Sequence, residues 1–277
     1  MIESLHSPHV ARVKALIGSK GAKERREQGL FVAEGLQCAR EALTSKNGPE
    51  IKILYGTEAG LGKISEFDLN DIEIVEVSVA VMKAMSDTVS PQGLISLCYK
   101  PESDLSELSG TGSSRFIYLH EIQDPGNAGT ILRTADAMGI SAVITSPDSV
   151  DMFSPKVVRS TAGSLWNIPV FEGISFADID KRFPDAQKFL LSSHATTSIL
   201  DLEIPGDCIA IFGNEARGVD AASLGTALGT SLGTSLGTSL GASVTEVTIP
   251  MAGRAESLNL SAAASIVMFT LSTKVAG

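Results

Sequence analysis

Three short segments of this sequence set amide, carboxylate and guanidinium side chains among glycines. The first is QDPGNAGTILRTADAMG, residues 123–139, with Asn127 and Arg133. The second is GNEARG, Gly213 to Gly218, with Glu215 and Arg217. The third is IPMAGRAESLNLS, Ile249 to Ser261, with Asn259. Pro125 and Gly126 make a turn in the first, and Asn127 is placed to accept from free N–H groups at a helix start. Gly129 lets a ligand or another backbone come close. Arg133 follows within two helical turns, where a guanidinium suits a bidentate phosphate grip. On local sequence alone, a surface helix charge is the competing reading. Glu215 and Arg217 read equally as a solvated ion pair on a tight turn. The third segment reads equally as a loop before a closely packed helix capped by Glu256 or Ser257.

Other chemistries fail on their spacing. In GTEAGLGKIS the first phosphate-loop glycine is replaced by Thr57 and the hydroxyl position by Ile64. There is no G-x-G-x-x-G after a strand and no G-x-S-x-G elbow. Cys38, Cys98 and Cys208 lie far apart and are expected as reduced, mostly buried thiols, and the four histidines lack metal spacing, so no metal is expected. No apolar run approaches the ~20 residues of a membrane span, and no apolar stretch follows a basic start at the N-terminus. The expected compartment is the cytoplasm.

A net charge of −10, taken alone, argues against a nucleic-acid partner. The charge is unevenly placed, however. Arg12, Lys14, Lys20, Lys23, Arg25 and Arg26 are opposed only by Glu24. This stretch is either a solvated helix pair or a patch that contacts phosphates.

The elements that must position these loops alternate. With 43% hydrophobic and 19% charged residues the chain can bury a real core. FVAEG, IKILYG, IEIVEVS and GLISLCYK read as strands of a small α/β unit over residues 1–100. PESDLSELSGTGSS, residues 101–114, reads as a linker. From 115 to 277, RFIYLHEI, SAVITS, IPVF, KFLLSSH, DCIAIFG and VTEVTIP read as strands. They alternate with helices at TILRTADAM, SPKVVRSTAGSLW, FADIDKRF and the closing SLNLSAAASIVMFTLSTK. Such alternation predicts a mostly parallel sheet covered by helices, with ligands at the carboxyl ends of its strands.

The ordered set N-x-G-x-x-x-R-x-A (Asn127 to Ala135), G-N-E-x-x-G (Gly213 to Gly218) and I-P-M-x-G-x-x-x-S-L-N-x-S (Ile249 to Ser261) resembles the SpoU, or TrmH-like, RNA ribose methyltransferases of the SPOUT superfamily. The resemblance spans nearly the whole chain. It implies an α/β catalytic domain with a trefoil knot, preceded by a small ribosomal-protein-like substrate-binding domain. Knots are otherwise nearly absent from proteins, and periodicity alone does not reveal one.

The same resemblance implies S-adenosylmethionine as cofactor, held by Gly213, Ile249, Met251 and Leu258. It implies Arg133, Asn127, Glu215 and Asn259 as catalytic residues, structured RNA as substrate and a homodimer as the working form. Ribosomal RNA is the favoured substrate over transfer RNA, docked through Arg12, Lys14, Lys23, Arg25 and Arg26. Two rivals remain: a non-catalytic RNA-binding assembly factor that kept the fold, and a base methyltransferase. The retention of Asn127, Arg133, Glu215 and Asn259 together speaks for an enzyme, and Arg133 with the S-L-N motif speaks for ribose.

Between the second and third motifs lies LGTALGTSLGTSLGTSLGAS, residues 224–243. Its period of four nearly matches a helical turn. A glycine in each tetrad costs about 1 kcal/mol relative to alanine, so a helix there needs packing. A low-complexity surface insertion is expected.

Overall fold

The computed structural model describes residues 1–69, 71–102, 104–219, 224 and 244–274, and the chain divides into two compact units. The first holds Met1–Glu102 with Asp151–Asn167, and the second holds Ser103–Val150 with Ile168–Gly277. The sequence predicts a single boundary at 101–114, whereas residues 151–167 fold with the first unit. Aromatic packing explains their place. Phe153 meets Phe31 edge-on at 5.0 Å, and Trp166 lies 6.2 Å from the same ring. The Trp166 indole N–H donates to the Pro49 carbonyl at 3.0 Å.

The first unit runs α1 (Pro8–Ile17), α2 (Gly21–Gln28), β1 (Leu30–Glu34), α3 (Leu36–Thr44), β2 (Ile51–Gly56), α4 (Glu58–Gly62), β3 (Glu73–Glu76), α5 (Val79–Met85) and β4 (Leu94–Tyr99). Its sheet order is β1-β4-β2-β3, with β4 antiparallel to both neighbours and β2 parallel to β3. Ser7 caps α1 by accepting from the His9 N–H, and Pro8 begins the helix. Val10, Val13 and Leu16 form the buried stripe of α1. They pack with Val81, Met82 and Met85 over the alternate strand residues Val32, Ile53, Tyr55, Ile95 and Leu97.

The second unit carries β5 (Arg115–Leu119), α6 (Pro125–Ala137), β6 (Ala142–Thr145), β7 (Val170–Phe171), α8 (Phe176–Arg182), β8 (Gln187–Leu191), β9 (Cys208–Phe212), β10 (Val244–Val247) and α9 (Leu260–Thr273). Helix α7 (Pro155–Ser160) belongs to the first unit. The six strands lie in the order β10-β8-β9-β5-β6-β7, and every neighbouring pair is parallel. β5, β6 and β9 are buried along their length, which is why they read as apolar runs without alternation. One face packs Phe116, Tyr118, Ile209 and Ile211 against Phe176, Ile179 and Phe183. Helix α9 packs on α6 and on β9. The strand order reverses between β5 and β9, so the loops after these two strands open on a crevice.

Two helix starts differ from the sequence expectation. α6 begins at Pro125, earlier than expected, because Asp124 is its cap and accepts from the Asn127 N–H at 2.8 Å. Asn127 therefore sits inside the first turn, with its amide free for other partners. α9 is capped by Asn259, not by Glu256 or Ser257, through the N–H groups of Ser261 and Ala262 at 2.9 and 3.3 Å. Gly139 closes α6 with φ of 66°, the left-handed conformation expected there.

All three cysteines are free and buried, and burial pushes the Cys38 thiol up to about 11. Of the tetrad repeat, only Leu224 is among the described residues, and it is buried in the Phe116–Phe176 cluster. The expectation for the rest of 224–243 lies outside the described residues. Among those described, no helix is long and apolar enough to cross a membrane.

Candidate active site

The GNEARG turn leaves the carboxyl end of β9 and is closed by its own backbone. Asn214 N–H donates to the Gly218 carbonyl at 3.1 Å, and Gly218 N–H returns to the Asn214 carbonyl at 2.8 Å. The Asn214 side-chain oxygen accepts from the N–H groups of Ala216 and Arg217. A Cβ at Gly213 would lie 2.3 Å from the Gly218 carbonyl carbon and 2.5 Å from the Val219 nitrogen. That crowding is internal. Glycine is needed at 213 for the turn to fold back on itself, a requirement separate from the cofactor-binding role that the resemblance implies.

Glu215 reaches from this turn to the start of α6. Its Oε1 accepts from the Asp124 N–H at 3.0 Å and from Asn127 Nδ2 at 3.3 Å, and its Oε2 accepts from the Gln123 N–H at 3.2 Å. Asn127 Oδ1 in turn accepts from Asn259 Nδ2 at 3.1 Å. The orientation of each amide follows from its neighbour. An ionised carboxylate only accepts, so Asn127 must offer Nδ2 to Glu215. Its Oδ1 then faces Asn259 Nδ2, which leaves Asn259 Oδ1 for the N–H groups of α9. Partial desolvation alone would raise the Glu215 pKa. The N–H donors of Asp124 and Gln123 and the Asn127 amide outweigh it and hold the carboxyl below its usual range. A carboxylate at this helix start is also favoured by the helix dipole.

These three residues border a cavity of about 560 Å³ at the ends of β8, β9 and β10. Gly213, Ile249, Met251 and Leu258 all line it. Met251 and Leu258 remain 41% and 39% exposed, so the cavity presents apolar surface that nothing in the described chain covers. The volume falls inside the roughly 300–1,000 Å³ of small-molecule sites. Ser192, Ser193, His194, Thr248 and Arg217 also line it. They were not assigned from the sequence. The usable signal was position, because each follows a strand at its carboxyl end.

Arg133 is exposed and is absent from the cavity lining. It follows Asn127 by six residues, a rotation of about 240° around the helix, so it leaves α6 from a different side. One chain therefore unites Asn127, Glu215 and Asn259 but leaves Arg133 apart. In the first unit Arg12, Lys14, Lys23 and Arg26 are exposed. Arg25 is not: it is 4% exposed, its Nε and one terminal nitrogen lie 2.8 Å from Asp151 Oδ2, and it donates to the Leu16 carbonyl. Its guanidinium braces the fold and is withdrawn from any phosphate-facing patch. Among the described residues, no group of histidine, cysteine and carboxylate side chains could hold a metal ion.

Residues 114–229 match the SpoU rRNA Methylase family, and residues 9–96 match the MRM3-like substrate binding domain. The 23S rRNA (guanosine(2553)-2′-O)-methyltransferase RlmP of Bacillus subtilis (strain 168) is 32% identical over 251 residues, 90% of this chain and 91% of its own. The 23S rRNA (uridine(2479)-2′-O)-methyltransferase of Streptomyces viridochromogenes is 25% identical over 267 residues, 92% of this chain and 86% of its own. Among solved structures, the AdoMet-bound rRNA methyltransferase from Sinorhizobium meliloti is similar with a TM-score of 0.81 and 26% identity. That match covers 100% of this chain and 98% of the other.

Proposed function

The chain belongs to the SpoU rRNA methylase family, and we propose that it methylates a ribose 2′-hydroxyl of ribosomal RNA with S-adenosylmethionine as donor. The observation that carries this reading is the meeting of Asn127, Glu215 and Asn259 beside a cavity that Gly213, Ile249, Met251 and Leu258 also line. The residues present fit the cofactor. Ile249, Met251 and Leu258 offer apolar surface to an adenine face, and Ser192, Ser193 and Thr248 offer hydroxyls to its polar parts. Bound there, S-adenosylmethionine supplies an electrophilic methyl group on a sulfonium sulfur.

The work of this chain's residues is positioning. Asn127 and Asn259 are fixed in one amide orientation by Glu215 and by the start of α9. Arg133 clamps the phosphate next to the target ribose and stabilises the alkoxide that develops as the hydroxyl gives up its proton to solvent. Arg133 does not act as a base, because a guanidinium keeps its proton in proteins.

Arg133 lies away from the cavity of its own chain, and Ile266 and Phe269 on α9 are 39% and 58% exposed. These features support a homodimer in which each subunit's Arg133 completes its partner's site. The trefoil knot belongs to the same proposal. β10 joins the sheet beyond β8, while α9 returns to pack on α6 and β9, so the chain between them must cross over. RNA docks on the exposed Arg12, Lys14, Lys23 and Arg26. The three buried free thiols support a reducing compartment such as the cytoplasm. Two relatives named for different nucleotides of 23S rRNA support ribosomal over transfer RNA without naming the nucleotide here.

The test is transfer of tritium from methyl-labelled S-adenosylmethionine to ribosomal and transfer RNA, followed by mapping of alkali-resistant 2′-O-methyl positions. Label in ribosomal RNA is expected. No label in either pool would favour the non-catalytic RNA-binding factor, and label on bases would favour the base methyltransferase.

A further inference from the structure

Arg217 is the one arginine or lysine among the described residues that line the cavity. Its guanidinium lies 2.9 Å from Glu121 Oε2, with side chains 74% and 37% exposed. Both partners are held by their backbones. Glu121 follows β5 with φ of 52°, an uncommon conformation for a residue with a side chain. Its N–H donates to Ser146 Oγ at 2.8 Å, and its carbonyl accepts from Asn214 Nδ2 at 2.9 Å and from Gln123 Nε2 at 3.1 Å. Arg217 is fixed by the Asn214 side chain, which accepts from its N–H at 3.2 Å. The same Asn214 thus holds both ends of the pair.

An ion pair this open to water is weakly held. It nevertheless keeps a cation beside the cavity of a chain with net charge −10. The geometry points to Arg217 as a substrate-positioning residue that exchanges Glu121 for an RNA phosphate flanking the target ribose. Glu121 is the resident counter-ion, and RNA displaces it. A guanidinium suits this exchange because it grips a carboxylate and a phosphate with the same fork. The inference rests on the proposed RNA methylation and adds a phosphate contact separate from Arg133.

The test compares wild type, Arg217→Ala, Glu121→Gln and the double variant. Binding of protein-free 23S ribosomal RNA is measured across a potassium chloride series, with S-adenosylmethionine affinity measured separately. Arg217→Ala should weaken RNA binding about tenfold, the loss of one hydrogen bond to a charged group. It should also lower the salt slope by about 0.7–0.9, one phosphate's share. Glu121→Gln should tighten RNA binding about threefold by removing an exposed competitor, and the double variant should match Arg217→Ala. Because Arg217 also lines the cofactor cavity, RNA binding is measured without S-adenosylmethionine, and a loss confined to cofactor affinity in Arg217→Ala would overturn the inference. Wild-type affinity and slope in Arg217→Ala would overturn the inference. So would equal weakening by both single variants, which would make the pair a structural brace. Wild-type methyl transfer to the same RNA is measured alongside. Its absence would sink the function reading, whereas the binding comparison still judges Arg217.

Discussion

The basic run of the first unit and the polar cluster of the second treat their charges in opposite ways. On α1 and α2, Arg12, Lys14, Lys23 and Arg26 are exposed, whereas Arg25 is turned inward onto Asp151. At the second unit's cavity one carboxylate orders two amides and two backbone N–H groups, and the chain's exposed Arg133 stands outside that cluster. The difference teaches that residue type and neighbourhood in the sequence do not assign a role. Arg25 and Arg26 are adjacent, yet one is a buried brace and the other is exposed to solvent.

The largest effect should come from the brace. Arg25→Ala leaves Asp151, whose side chain is 18% exposed, without its cation, and leaves the Leu16 carbonyl without its donor. Breaking such a buried pair costs about 3–5 kcal/mol, read as a lower urea midpoint at unchanged slope. An unmoved midpoint would place Arg25 back among the exposed charges.

Arg133→Lys should do the reverse. Its exposed position predicts a stability change within about 0.5 kcal/mol. Loss of the planar fork at the reacting centre should lower single-turnover methyl transfer by about 100-fold, the scale of one lost transition-state donor. Wild-type turnover and RNA binding would remove Arg133 from the mechanism. A mixed dimer of Arg133→Lys and Asn259→Ala chains would sharpen the point. Some activity should return if the site draws on both subunits.

Much of this was legible beforehand, for stated physical reasons. The strands of the second unit are apolar runs bounded by turns, so their period and length identify them. Asn127, Glu215 and Asn259 stand in spaced motifs, and the structure joins them into one hydrogen-bonded line. Their chain of contacts was not legible, because it depends on Asp124 displacing Asn127 from the cap. The place of 151–167 was hidden too. It reads as one more helix in an alternating series, and contacts distant in sequence take it to the first unit: Phe153 and Trp166 meet Phe31, and Trp166 donates to the Pro49 carbonyl. The inward turn of Arg25 depends on Asp151, 126 residues away.

Glu215→Gln tests how far the cluster relies on charge. The glutamine keeps one acceptor oxygen but puts an NH₂ donor against either the Gln123 or the Asp124 N–H. With Glu215 open to solvent on one side, the cost should be about 1 kcal/mol. The sign with pH follows from the lowered pKa. The folded carboxyl ionises below its unfolded value, so its stabilisation is present above the ordinary carboxylate range. It is lost as pH falls through the lowered folded value. The gap between wild type and Glu215→Gln should therefore be full at neutral pH and close on acidification. A gap independent of pH would show that shape, not charge, fixes Asn127.

The smallest effect on stability returns to the basic run. Lys23 is two residues before Arg25, a rotation of about 200° on the helix, and so leaves α2 on nearly the opposite side. Its ion pair with Glu27 is 3.6 Å long with side chains 73% and 58% exposed, a geometry worth little in water. Lys23→Ala should thus leave the urea midpoint unchanged within about 0.5 kcal/mol. If Lys23 meets a phosphate, the salt slope of RNA binding should fall by about 0.7–0.9. Arg25→Ala, assayed under conditions where it remains folded, should leave that slope unchanged. The two variants then separate what their shared sequence neighbourhood confounds: Arg25 is read in stability alone and Lys23 in salt dependence alone. A slope change in Arg25→Ala without one in Lys23→Ala would mean that RNA reads the helix face now turned toward Asp151.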